Sequence, residues 1–252
     1  MPAAAVTRAT LESLLRVRKL DHTLSALDIP ASGHEALPSV VPTSIPDLDA
    51  RLGGGIPRGH ISQFIGPRSS GRLAIVLSAL AGSTLRGEAV ALVDPLDMFD
   101  PVSASTGGID FSRMLWVRGQ AFGSSRISLT CEYGTLQKSV DRAVKALNLI
   151  LQAGGFGLVV LDLAEVSAQV LRRLPFTTWL RLHRVIEGSE TACVLIGSES
   201  IARSAGGVTV QLASGSGAWR PEPGANEISA RVVHARAMET RDVCVPVSAA
   251  AC

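Results

Sequence analysis

The sequence predicts an α/β fold: one doubly wound, mostly parallel sheet with a C-terminal antiparallel hairpin edge and an N-terminal helix. Three observations carry this expectation. The runs "ISQFIG", "EAVALVD", "GLVVLD" and "ACVLIG" are short and largely apolar throughout, as strands covered on both faces must be. Helical patterns alternate with them, and the order β–loop–α–β–α–β–α–β builds parallel crossovers. The tail then changes character. "VTVQLA", "EISARVVHARA" and "DVCVPV" alternate with period two, which predicts antiparallel strands along one edge.

Taken in order, Thr10 is placed to cap a first helix running to about Leu27. Leu11, Leu14 and Leu15 begin its apolar stripe, and Arg8, Arg16, Arg18 and Lys19 form a basic face. Residues 30–47, "PASGHEALPSVVPTSIPD", carry four prolines and read as a linker, so 1–35 forms a basic helix with its linker and 36–252 the main domain. "LDARLGGGIPRGHISQFIG" then gives a short helix, a glycine turn and a strand ending at Gly66. "LAIVLSALAGSTLRG" is the next helix, closing at Gly87. "EAVALVD" is a strand ending at Asp94, and "MLWV" another. Leu136, Val140, Val144, Leu147 and Leu151 recur at helical spacing, with Gly154 and Gly155 as stop signals. The strand "GLVVLD" ends at Asp162. A basic helix from about Leu171 to Ile186 follows, with Arg172, Arg173, Arg181 and Arg184 among apolar positions.

Composition bounds the function. The chain has 252 residues, 46% hydrophobic and 18% charged, with a formal net charge of +2. That is ordinary for a folded domain and gives no global electrostatic argument for nucleic acid. Cys131, Cys193, Cys244 and Cys252 are scattered without C-x-x-C spacing, which fits reduced thiols better than a disulfide framework or a metal site. No segment approaches a membrane span or a secretory signal, so a cytoplasmic location is expected.

Residues 66–74 read "GPRSSGRLA". A phosphate-binding loop reads G-x-x-x-x-G-K-[ST]. Gly66 and Gly71 hold their places, and Pro67, Ser69 and Ser70 fill the turn, but Arg72 stands for the lysine and Leu73 for the hydroxyl. The glycines could still form an anion-binding nest. Arg72 keeps a positive charge in a planar fork unlike a compact ammonium, and Leu73 offers no oxygen to Mg²⁺. Phosphoryl transfer depends on positioning and charge stabilisation, so losing both groups together predicts failed hydrolysis. Asp162, at a strand end, sits where a Walker-B carboxylate would support the metal.

The stretch "TSIPDLDARLGGGIPRGHISQFIGPRSSGR" resembles the corresponding segment of the RecA/RadA recombinases. The matches are Leu48-Asp49, Gly53 to Gly55, Pro57 and Gly59, and Gly66-Pro67 with Ser69-Ser70-Gly71. The likeness continues through Asp94, Asp100-Pro101 and the "GGID" turn, and spans about residues 40–247. It implies a RecA-like P-loop core. The departures matter equally. The catalytic glutamate of RecA falls on Leu96, with Asp97 adjacent but pointing elsewhere, and its glutamine sensor falls on Ser198. The first DNA-binding loop has no room after Asp162, and "SESIARSAGG" is a short stand-in for the second. Of the basic pair that reaches a neighbouring subunit's ATP, "RVVHARA" keeps His234 and Arg236 in part.

A short RecA-like core with failed ATPase parts, trimmed loops and a basic N-terminal helix resembles the ImuA family, RecA-related accessory proteins of bacterial SOS mutagenesis. The resemblance implies a non-catalytic adaptor in the DNA-damage (SOS) response, supporting translesion synthesis. Its implied partners are RecA and an ImuB-like relative of Y-family polymerases. Through the latter it would meet an error-prone replicative-type DNA polymerase. Arg16, Arg18 and Lys19 are the candidate partner-binding residues. Gly66, Pro67, Ser69, Ser70, Gly71, Arg72 and Asp162 form a vestigial nucleotide site, with no cofactor or metal expected. Two alternatives stay open. One is a nucleotide-binding switch or weak ATPase using Arg72. The other is a direct single-stranded DNA binder using Arg172, Arg173, Arg181, Arg184 and Arg203.

Overall fold

The computed structural model describes residues 40–119, 133–202, 206–213, 226–234 and 242–247, the last two as backbone strands. The expected helix over 10–27, with Arg16, Arg18 and Lys19, lies outside the described residues. So do Arg203 and Arg236.

The chain enters on β1 (Val40–Val41), which pairs antiparallel with β2 (Ile56–Pro57). Helix α1 (Pro46–Arg51) lies between them, with its proline in the first turn, where a missing N–H costs nothing. The proline-rich linker reading therefore fails from residue 40 onward. Val41 and Ile45 are core residues, and Asp49 accepts hydrogen bonds from the Thr43 N–H (2.7 Å) and hydroxyl (2.7 Å). Spaced prolines here belong to an ordered turn. Gly55 has φ 144 with the Val41 carbonyl packed against its Cα, so only glycine fits.

Among the described residues the main sheet has eight strands: β3 (Ile61–Ile65), β4 (Val90–Asp94), β5 (Met114–Arg118), β6 (Leu158–Asp162), β7 (Ala192–Gly197), β8 (Gly206–Leu212), β9 (Asn226–His234) and β10 (Asp242–Val247). Their spatial order is β10-β9-β8-β3-β7-β6-β4-β5. The six from β8 to β5 run parallel, and β9 and β10 close the edge antiparallel. The doubly wound sheet with a hairpin edge is as expected. "VTVQLA" lies in β8, which pairs antiparallel with β9 on one side and parallel with β3 on the other, so it joins the antiparallel edge to the parallel sheet.

Helices cover both faces. Val90 and Leu92, Leu158 and Val160, and Val194 and Ile196 point toward α2 (Arg72–Leu85) and α1. Ala91 and Val93, Val159 and Leu161, and Cys193 and Leu195 point toward α4 (Tyr133–Ala153) and α6 (Phe176–Ile186). This two-sided alternation is why the strands read as unbroken apolar runs. On α4, Val140, Val144, Leu147 and Leu151 are buried at the expected spacing. The basic helix expected over 171–186 is two helices, α5 (Ala168–Leu171) and α6, separated at Pro175. Proline restricts the residue before it and cannot donate to a continuing ladder. Short α3 (Pro101–Thr106) starts at Asp100, whose carboxylate accepts from the N–H groups of Val102 and Ser103.

Candidate functional site

The loop after β3 sits where three parallel strands end together. Gly66 closes β3, Asp162 closes β6, and Gly197 closes β7, with the Gly66 N–H donating to the Gly197 carbonyl at 3.1 Å. Ligands of open α/β sheets bind outside these carboxyl ends. Gly66 is tightly enclosed: a Cβ there would stand 2.7 Å from the Leu212 carbonyl oxygen and 2.7 Å from Ser70 Oγ. Ser69 and Gly71 take positive φ of 58 and 84. Gly71 is the residue before the first turn of α2, so the turn geometry of a phosphate loop survives.

Position 72 decides what that geometry holds. The Arg72 side chain is only 7% exposed. Its guanidinium bends into the loop and donates to the carbonyls of Gly66 and, at 3.4 Å, Gly197. The second terminal nitrogen donates to the Ala164 carbonyl at 3.2 Å and to Glu165 Oε1 at 3.1 Å. One planar fork thus ties together the ends of β3, β6 and β7. The other carboxylate oxygen of Glu165 meets Arg68 Nε at 2.9 Å, on the outside of the loop. Glu165 therefore lies between two arginines of the loop. Sequence reading missed it. The available signal was a carboxylate three residues past the strand-end Asp162, facing a loop with two arginines and no lysine.

The remaining positions are equally specific. Leu73 is 39% exposed and carries no metal-binding oxygen. Ser70 is buried, and its Oγ has no hydrogen-bond partner among the described residues. Ser69 and Pro67 are exposed. Asp162 Oδ1 accepts from the Ala164 N–H at 2.9 Å. Burial lifts its carboxyl to about 6, with the Asp94 charge adding and the backbone bond and Arg72 opposing. Asp94 is buried at the end of β4 and accepts from the Phe99 N–H at 2.8 Å. Leu96 packs against the apolar core beneath α4. Asp97 forms a two-pronged pair with Arg118, at 2.7 and 2.9 Å. That bond to Arg118 holds its carboxyl below the usual range, and Arg118 also covers Trp116 at 4.3 Å. Asp97 is therefore engaged away from the loop. Ser198 is exposed just past β7.

Of the arginines assigned to DNA, Arg172 pairs with Glu199 at 3.2 Å. Arg173, Arg181 and Arg184 are exposed. They lie on or just before α6. The segment after β7 is held by Gln63, a buried polar side chain that the sequence did not single out. Its Oε1 accepts from the N–H groups of Ile201 (2.8 Å) and Ala202 (2.9 Å), and its Nε2 donates to the Ala202 carbonyl at 2.6 Å.

A magnesium nucleotide needs an ammonium at the terminal phosphates and a hydroxyl on the metal. The residues at 72 and 73 supply neither, and the Arg72 guanidinium is engaged by the Glu165 carboxylate. The set does not fit that cofactor.

Against known proteins, residues 24–127 match the model of the RecA N-terminal domain. The core is RecA-like. Protein RecA of Ruminococcus albus is 30% identical over 160 residues, 62% of this chain and 38% of that protein. Protein RecA of Streptomyces coelicolor is 30% identical over 134 residues, 53% of this chain and 30% of that protein. Protein RecA of Heliobacterium modesticaldum is 27% identical over 194 residues, 75% of this chain and 54% of that protein. The chain thus matches about half or less of the length of these relatives. The RecA-like similarity includes the loop itself, so Arg72 and Leu73 are departures within a shared framework. Among the described residues no helix is long and apolar enough to cross a membrane, and no cluster of metal-ligating side chains occurs.

Proposed function

We propose that this protein is a non-catalytic accessory of the DNA-damage response, a RecA-like core that serves as an adaptor. The reading extends to SOS mutagenesis and translesion synthesis of the ImuA kind, with RecA and an ImuB-like polymerase relative as partners. The observation that carries it is the inward-turned Arg72 guanidinium, bonded to Gly66, Gly197, Ala164 and Glu165. A loop closed on its own side chains supports a scaffold role, because hydrolysis needs groups that stabilise charge only in the transition state. Leu73 and Leu96 support the same reading independently, one lacking the metal hydroxyl and the other the carboxylate that would activate water.

The test has two arms. Purified protein with Mg²⁺ and a fluorescent ATP analogue is expected to show no micromolar binding and no steady turnover. Immobilised protein is expected to retain RecA, or the ImuB-like partner, with or without single-stranded DNA. Turnover, or retention of neither protein, would sink the adaptor reading.

A second reading is favoured by Arg173, Arg181 and Arg184, which are exposed and form no ion pair among the described residues. Direct phosphate contacts there would make binding to single-stranded DNA fall steeply with salt. Replacing all three by alanine should then flatten that salt dependence without changing retention of RecA.

A further inference from the structure

We propose that Glu165 is the residue that excludes phosphate anions from the loop, acting as a built-in anion tethered between Arg68 and Arg72. Losing the lysine and the hydroxyl removes hydrolysis, but it does not by itself remove anion binding. The glycine turn is retained, with the Arg72 guanidinium bent into it and the Arg68 guanidinium on its outer side. Guanidinium forks recognise phosphate in two-pronged fashion. Left alone, this loop would be a metal-independent polyphosphate site.

Glu165 changes that outcome. Its two oxygens are divided between Arg72 at 3.1 Å and Arg68 at 2.9 Å, so both cations are engaged by one carboxylate. The carboxylate is intramolecular, which gives it a high effective concentration against any free anion. Asp162 and Asp94 lie close enough for their charges to act on one another. An incoming polyphosphate therefore meets two occupied arginines and further carboxylates at the same strand ends. Arg72 is buried and also serves three carbonyls, whereas the Arg68 side chain is 77% exposed. Arg68 is thus the half of the clasp that can open without disturbing the core.

The inference rests on the non-hydrolysing reading of the loop, yet it fails separately. The probe is inorganic tripolyphosphate without metal, followed by titration calorimetry on the full chain. Glu165→Gln keeps the side chain's shape and removes its charge, and is expected to bind at least tenfold more tightly than the unaltered protein. Adding Arg68→Ala to that variant should abolish the gain, which places the anion at the loop. Glu165→Ala provides the same reading if the glutamine variant loses its fold by circular dichroism. A glutamine or alanine variant that is folded and binds no better overturns the proposal. So does a gain that survives Arg68→Ala. Micromolar binding by the unaltered protein overturns it whatever the variants do. Failure to retain either RecA or the ImuB-like partner would sink the adaptor role and leave these titrations untouched.

Discussion

At the residue scale, one guanidinium replaces a lysine and reverses what the position is for. A Walker lysine presents its charge to a ligand, while Arg72 spends its donors on carbonyls and on Glu165. Removing it should leave buried carbonyl acceptors unpaired and Glu165 with Arg68 alone. Arg72→Ala is expected to destabilise the fold by on the order of 3 kcal/mol, read from urea midpoints. Asp162 gives a second residue-level prediction. Its carboxyl, raised to about 6 in the folded protein from about 4 unfolded, binds a proton more tightly when folded. Stability from this group is therefore greatest at low pH and declines as pH rises from about 4 to 6, with the full cost present above that. Asp162→Asn keeps an acceptor for the Ala164 N–H and removes the charge. It should raise stability at pH 7 and cancel that part of the pH profile, measured as melting temperature from pH 4 to 8. Carboxyls held below their usual range, such as Glu88 between Arg58 and Arg86, slope the other way. The comparison with the variant isolates Asp162 from them.

At the scale of elements, legibility tracked how much of the decision was local. The helix over 136–151 was readable because Val140, Val144 and Leu147 repeat with the helical period on one buried face. The strands at the sheet centre were readable because burial on two faces leaves no room for polar residues. Pro46 and Pro175 were harder. The same residue starts α1 in one place and separates α5 from α6 in the other, and neighbouring contacts decide which. The antiparallel pairing of β8 with β9 was readable from the period-two tail, but its parallel pairing with β3 was not, since that pattern does not say which strand lies on the other side. Gln63 marks the limit most clearly. It looks like a polar interruption in β3, yet its amide forms three bonds with a segment 138 and 139 positions away. Gln63→Leu should free that segment. Amide exchange at Ile201 and Ala202 is expected to accelerate at least tenfold while exchange in β6 stays slow.

At the scale of the whole molecule, the loop's two arginines, Glu165 and three strand ends form one connected feature. The candidate site was half legible for that reason: Gly66, Gly71, Arg72 and Asp162 follow a spaced motif, but Glu165 follows no motif and is found only by proximity. A ligand that binds only the folded state raises its stability by mass action. Millimolar Mg²⁺-ATP is therefore expected to leave the melting temperature unchanged within about 1 °C, measured by scanning calorimetry. A shift of several degrees would show an open nucleotide site. The clasp at Arg72 also bears on history. A single replacement of arginine by lysine would withdraw the fork from the Gly66, Gly197 and Ala164 carbonyls while leaving Glu165 in place. The first step back toward a lysine loop is thus expected to be a step down in stability. Such a position works as a ratchet, easier to enter than to leave.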